Sequence, residues 1–179
     1  VEACEDVQAT IDAIHAEGMD AGLACNPETP VEDIVPFIDK VEMILIMTVH
    51  PGFGGQSYID ECTEKIEIVN AIVHEYNLKT LIEVDGGIKV DNVCIPLDAG
   101  ANVIVAGSAV YKGNVEENVK SGGFGEHVCA YMEACHPGCR VIPIAIWDRF
   151  VPQGSIDSLR CKVGLSAAEI AQTVETGIS

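Results

Sequence analysis

Basic residues are scarce. Ten Lys and Arg stand against 28 Asp and Glu, a formal net charge of −18. That balance argues against nucleic-acid or anionic-membrane partners, since both need a basic face. Long hydrophobic runs are missing as well. Nothing approaches the ~20 apolar residues of a membrane-spanning helix, and the stretch Met43–Val49 has the length of a buried strand. No basic, apolar, small-residue leader stands at the start, so a cytoplasmic location is expected. The chain opens on Val1 instead of Met, so an upstream segment is expected too. With a reducing compartment in view, the eight cysteines read as free thiols rather than disulfides. The paired C-x2-C spacing of a structural zinc site is also lacking. His127, Cys129, Cys135, His136 and Cys139 cluster along the chain, but their spacing favours buried or incidental cysteines over a metal centre.

What is present suffices for a core. The 179 residues are 48% apolar and 21% charged, which fits one ordinary packed domain and excludes general disorder. Charge is distributed unevenly. Residues 1–113 hold 20 acids and 5 bases, a net of −15, whereas residues 114–179 hold 8 acids and 5 bases, a net of −3.

Apolar spacing alternates between helical and strand-like stretches. Val7, Ile11 and Ile14 share one face of a helix expected within residues 2–17, with Gly18 ending it. Ala21–Cys25 is a short apolar strand closed by Asn26-Pro27. Thr29-Pro30-Val31-Glu32 combines a capping Thr, a first-turn Pro and Glu at the third position, predicting a helix to about Asp39. Val41–Val49 reads as a strand, Ile59–Tyr76 as a longer helix with Ile66, Val69, Ile72 and Val73 inward, and Thr80–Val84 as a strand. Lys89–Asp98 reads as a short helix and Val103–Ala106 as a strand. Four apolar strands alternating with helices predict an α/β fold with a parallel sheet buried on both faces. A closed barrel and an open doubly wound sheet both satisfy that pattern.

Three consecutive strands end in polar, glycine-bearing turns: His50–Gln56, Asp85–Gly87 and Gly107-Ser108. In parallel α/β folds, chemistry sits at the C-terminal ends of strands. Glycine lets backbone approach a ligand without a Cβ, and successive N–H groups at a helix start favour an anion. Three such turns in register point to phosphate, although each alone could be a tight connection. Asp85, a carboxylate closing an apolar strand, could cap the next helix or serve as a general acid or base or a metal ligand. His50, beside Pro51-Gly52, could be a ligand or a loop buttress.

The residues themselves go further. Val49-His50-Pro51-Gly52-Phe53-Gly54-Gly55-Gln56, Ile82-Glu83-Val84-Asp85-Gly86-Gly87-Ile88, Val105-Ala106-Gly107-Ser108-Ala109-Val110 and Gly22-Leu23-Ala24-Cys25-Asn26-Pro27-Glu28-Thr29-Pro30 resemble the ribulose-phosphate 3-epimerase family over residues 1 to about 113. The resemblance implies a partial TIM (β/α)8 barrel, of which this stretch supplies the last four strands. It implies interconversion of ribulose 5-phosphate and xylulose 5-phosphate by metal-assisted proton transfer through an enediolate, as in the pentose phosphate pathway. Asp85 is then one of two catalytic carboxylates and a ligand of a divalent metal ion. Gly52, Phe53, Gly54, Gly55, Gly86, Gly87, Gly107 and Ser108 hold the phosphate and sugar of the pentulose 5-phosphate. The family's second catalytic Asp and its remaining metal ligands are expected to precede Val1. Half a barrel leaves the edges of its first and last strands unpaired, a risk of aggregation or self-association.

Residues 114–179 differ. Glu116–Gly125 opens a glycine-rich turn into a helix reaching Cys135, Arg140–Ile146 reads as a strand, and Leu165–Val174 as a closing helix. Gly122-Gly123-Phe124-Gly125, Asp148-Arg149-Phe150-Val151-Pro152-Gln153-Gly154-Ser155 and Gly164-Leu165-Ser166-Ala167-Ala168-Glu169-Ile170 resemble the end of 1-deoxy-D-xylulose-5-phosphate synthase. That is a thiamine-diphosphate enzyme of transketolase type; Trp147 departs from its pattern. The implied organisation is a half barrel (1–113) followed by a small α/β segment of transketolase C-terminal type (114–179), a fusion, fragment or assembly artefact joined near Asn114–Ser121. The rival expectations are an inert or sugar-phosphate-binding fusion product, or a fragment of the thiamine-dependent enzyme.

Overall fold

The computed structural model describes residues 1–111 and 124–135. The chain divides into two compact units, Val1–Lys112 and Gly113–Ser179. The strand expected at Arg140–Ile146, the turn at 148–155 and the helix at Leu165–Val174 lie outside the described residues.

In the first unit, helix α1 spans Val7–Ala16. It contains Val7, Ile11 and Ile14, and Asp6 caps its start, its carboxylate accepting the Ala9 N–H at 2.9 Å. Strand β1 is Gly22–Cys25. The helix expected after Thr29 forms instead as two 3₁₀ segments, Val31–Asp33 and Val35–Lys40. Thr29 does not cap them; its hydroxyl donates to Glu2. Pro36 would lack the N–H needed inside a continuous helix; in the structure it falls in the first turn of the second segment, where no N–H is required.

Strand β2 is Met43–Met47, helix α2 Cys62–Glu75 and strand β3 Leu81–Asp85. Helix α3, Cys94–Asp98, is about half its expected length; Pro96 removes one donor from the turn that would extend it. Strand β4 is Val103–Val105, and helix α4, Ser108–Tyr111, follows directly. In the second unit the described element is helix α5, Phe124–Cys135, with Phe124 buried. No described helix is long and apolar enough to cross a membrane.

The strands form one parallel sheet in chain order β1-β2-β3-β4. Leu23, Ile44 and Ile82 lie level across it, as do Cys25, Ile46 and Val84. These side chains point to the face that α2 and the second 3₁₀ segment cover, where Ile34, Ile38, Ile66 and Val69 are buried. Each such aliphatic side chain contributes roughly 1.5–3 kcal/mol on leaving water.

Among the described residues, full burial is confined to one face. Met43, Leu45 and Met47, which alternate with the buried residues, are only partly covered, and Leu81 is 41% exposed. Among the described residues, α2 packs on β2 and β3 from one side.

Candidate functional site

Because all four strands run the same way, their C-terminal ends share one edge of the sheet. The turns that follow β2, β3 and β4 line a cleft of about 410 Å³. It is lined by Asp85, by Gly52, Phe53, Gly54 and Gly55 of the loop after β2, by Gly86 and Gly87 after β3, and by Gly107 and Ser108 after β4. Every residue singled out from the sequence therefore meets the others here.

Asp85 ends β3 level with Met47 and Val105. Its carbonyl accepts the Thr48 N–H at 2.9 Å, and the Thr48 hydroxyl donates to the Gly86 carbonyl at 2.6 Å. The buried Thr48 thus pins the strand end that presents the carboxylate. Among the described lining residues Asp85 is the only acid. Glu83 lies two residues earlier on the same open face; burial, and then the charge of Asp85, push its carboxyl above the usual carboxylate range.

The glycines serve different ends. A Cβ on Gly86 would stand 2.4 Å from Cγ2 of Val49, and one on Gly87 would stand 2.1 Å from the Tyr58 nitrogen; both residues also have positive φ. Packing of the loop after β2 against the turn after β3 accounts for these two. Gly54 and Gly107 have no positive φ, and a Cβ at either would meet no atom within 4 Å, only open cleft. Among the described residues, packing gives no reason for glycine at either place.

The loop after β2 is braced from within by Gln56, whose side-chain amide donates to the carbonyls of His50 (2.6 Å) and Phe53 (2.8 Å). His50, ambiguous in the sequence, is a buttress: its Nδ1 lies 2.6 Å from Oε1 of Glu28, on the turn after β1. That turn is held by Lys65, a buried ammonium on α2 donating to the carbonyls of Asn26 (2.9 Å) and Pro27 (3.1 Å). It is held from the other side by Glu2, which accepts the Asn26 N–H at 2.9 Å and the Thr29 hydroxyl. Sequence reasoning missed the roles of Glu28 and Lys65. The available signal for Lys65 was a charge at helical spacing among Cys62, Ile66 and Val69 on the inward face of α2.

The divalent ion that the family resemblance implies does not fit the described residues. They contain no group of three or more His, Cys, Asp or Glu able to hold a metal. Asp85 supplies one donor to the cleft, and His50 is engaged with Glu28. On α5, Cys129 is half-buried and Cys135 exposed; Cys25 and Cys62 are buried, with burial raising both thiols.

Four parallel strands in chain order, with a carboxylate among glycine turns at the C-terminal edge, make this an α/β protein whose sheet is consistent with part of a (β/α) barrel. The model of the Ribulose-phosphate 3 epimerase family matches residues 1–111, and the chain belongs to that family. It is 46% identical over 121 residues to the ribulose-phosphate 3-epimerase of Schizosaccharomyces pombe, a match covering 68% of this chain and 51% of that protein. It is 45% identical over 111 residues to the ribulose-phosphate 3-epimerase of Bacillus subtilis (62% and 51% covered) and 43% over 110 residues to that of Escherichia coli K12 (62% and 49% covered). The chain spans about half the length of these curated relatives.

Proposed function

We propose that this chain carries the sugar-phosphate grip and one proton-transfer carboxylate of a ribulose-phosphate 3-epimerase. The observation that carries this reading is the meeting of Asp85 with Gly54 and Gly107, two glycines the fold does not require, on one cleft. Side-chain-free backbone there leaves N–H groups open to a phosphate or sugar oxygen.

The carbon to be inverted in a pentulose 5-phosphate lies next to the ketone, so its C–H bond is acidified by the carbonyl. The Asp85 carboxylate accepts that proton, leaving a planar enediolate, and a proton delivered to the opposite face completes the inversion. One carboxylate reaches one face. The opposite face needs a second acid, and the described part of the cleft contains none besides Asp85. That observation favours a second reading for the isolated chain: it binds pentulose phosphates without turning them over. The divalent ion is assigned no step, because the described residues do not fit it.

The finer assignment of residues 114–179 to a segment of 1-deoxy-D-xylulose-5-phosphate synthase type rests on the three sequence stretches quoted for it. Strands β1 and β4 are the edges of the sheet, and self-association runs through them in this reading.

Solvent deuterium incorporation next to the ketone, measured beside sugar-phosphate binding, tests the proposal. Wild-type chain is expected to bind ribulose 5-phosphate with little exchange, and Asp85→Asn to keep the binding. Robust exchange lost in Asp85→Asn would show a complete site and overturn the one-carboxylate account. Absence of binding would overturn the grip.

A further inference from the structure

We propose that Glu28 and His50 form a clamp between loops that holds residues 50–56 in the shape that receives the ligand. The proposal rests on the sugar-phosphate reading for its ligand, but the clamp itself is a property of the loop.

The two ends of this loop are fixed by packing, Val49 against Gly86 and Ser57–Tyr58 against Gly87. The stretch between them is not. Gly52, Gly54 and Gly55 have open space where a side chain would stand, and Phe53 is 73% exposed. Gln56 ties the loop only to itself, through the His50 and Phe53 carbonyls. A loop braced internally and anchored at its ends can still swing as a unit. The 2.6 Å contact between His50 Nδ1 and Glu28 Oε1 joins it to a different element.

That element is unusually well anchored for a surface turn. Lys65 grips its carbonyls from below and Glu2 grips the Asn26 N–H and the Thr29 hydroxyl from the side. Glu28 thereby projects from an anchored stretch of backbone, and His50, which lines the cleft, is the point at which the glycine loop attaches to it. Both side chains are exposed, so the pair adds little to global stability. Its effect is on where Gly52–Gly55 sit. Glu28 and His50 are positioning residues, since neither needs to touch the substrate for this role.

The test uses the full chain with Glu28→Gln, His50→Gln, the double variant, and the swapped pair Glu28→His with His50→Glu. The first readout is the {1H}-15N NOE of the Gly52, Gly54 and Gly55 amides without ligand. It is expected to fall in each single variant, fall no further in the double variant and recover in the swapped pair, with the thermal midpoint unchanged throughout. The second is affinity for ribulose 5-phosphate, expected to weaken in the single variants by no more than about fivefold, the ceiling for an exposed pair, and to return in the swapped pair. Loop NOEs equal to wild type in both single variants overturn the clamp whether or not ligand binds. Loop NOEs that respond while wild type binds no sugar phosphate leave the clamp standing and overturn the grip instead.

Discussion

Gly87 and Tyr58 approach so closely that a methyl group on Gly87 would lie 2.1 Å from the Tyr58 nitrogen. The contact is with backbone, so no side-chain rotation relieves it. Gly87→Ala is therefore expected to destabilise by about 1–3 kcal/mol or more, read as a shift of the urea midpoint. Gly54→Ala and Gly107→Ala meet open space and are expected to leave that midpoint within about 0.5 kcal/mol of wild type, while weakening ribulose 5-phosphate binding. Equal binding in both variants would remove the ligand as the reason for those two glycines.

Glu2 sets an acid limit on the turn that carries Glu28. Burial opposes its ionisation, but the Asn26 N–H and the Thr29 hydroxyl more than offset this and hold its pKa at about 2 against an ordinary 4.5. A lowered folded-state pKa stabilises the fold above the unfolded value, and that stabilisation is lost as pH falls from about 4.5 toward about 2. Glu2→Gln is expected to flatten this part of the stability–pH curve, measured by urea unfolding at a series of acid pH values.

Glu83 acts in the other direction. Its pKa is raised, by burial first and by Asp85 second, so its stabilising protonation is fully present below the unfolded value of 4.5 and is lost as pH rises through the folded value. Glu83→Gln is expected to remain at least as stable as wild type at neutral pH, with the gap between the two narrowing on acidification. A variant less stable than wild type at pH 7 would mean that the Glu83 carboxylate is stabilised there by something other than solvent.

Thiol reactivity should divide by depth. Burial raises Cys25 and Cys62, which disfavours the thiolate, while Cys4 and Cys135 are exposed. Brief iodoacetamide treatment followed by peptide mass spectrometry is expected to find label on Cys4 and Cys135. Cys25 and Cys62 are expected to react only in denaturant.

Much of this site was legible in the sequence because its signals are local. The glycine turns, the strand-ending Asp85 and the alternation of apolar stretches each occupy a few consecutive residues. Parallel strands then carry every turn to one edge without further information. Local signals misled where a residue's partner lies far along the chain. Thr29 has the spacing of a helix cap, yet its hydroxyl is used by Glu2, 27 residues away. The break between the two 3₁₀ segments that follow reflects Pro36, whose missing donor would fall inside a continuous helix.

The sequence by itself determined the order of elements, the strand direction and the residues that meet in the cleft, since periodicity and glycine placement depend on neighbouring residues. Only the tertiary structure decided which sheet face is covered, because apolar strand residues look alike whichever side receives the helices. It also separated the glycines demanded by packing, Gly86 and Gly87, from Gly54 and Gly107, which packing leaves free. It gave His50 its partner: Glu28 lies 22 positions earlier in the chain, and only the pairing of β1 with β2 brings the two turns side by side.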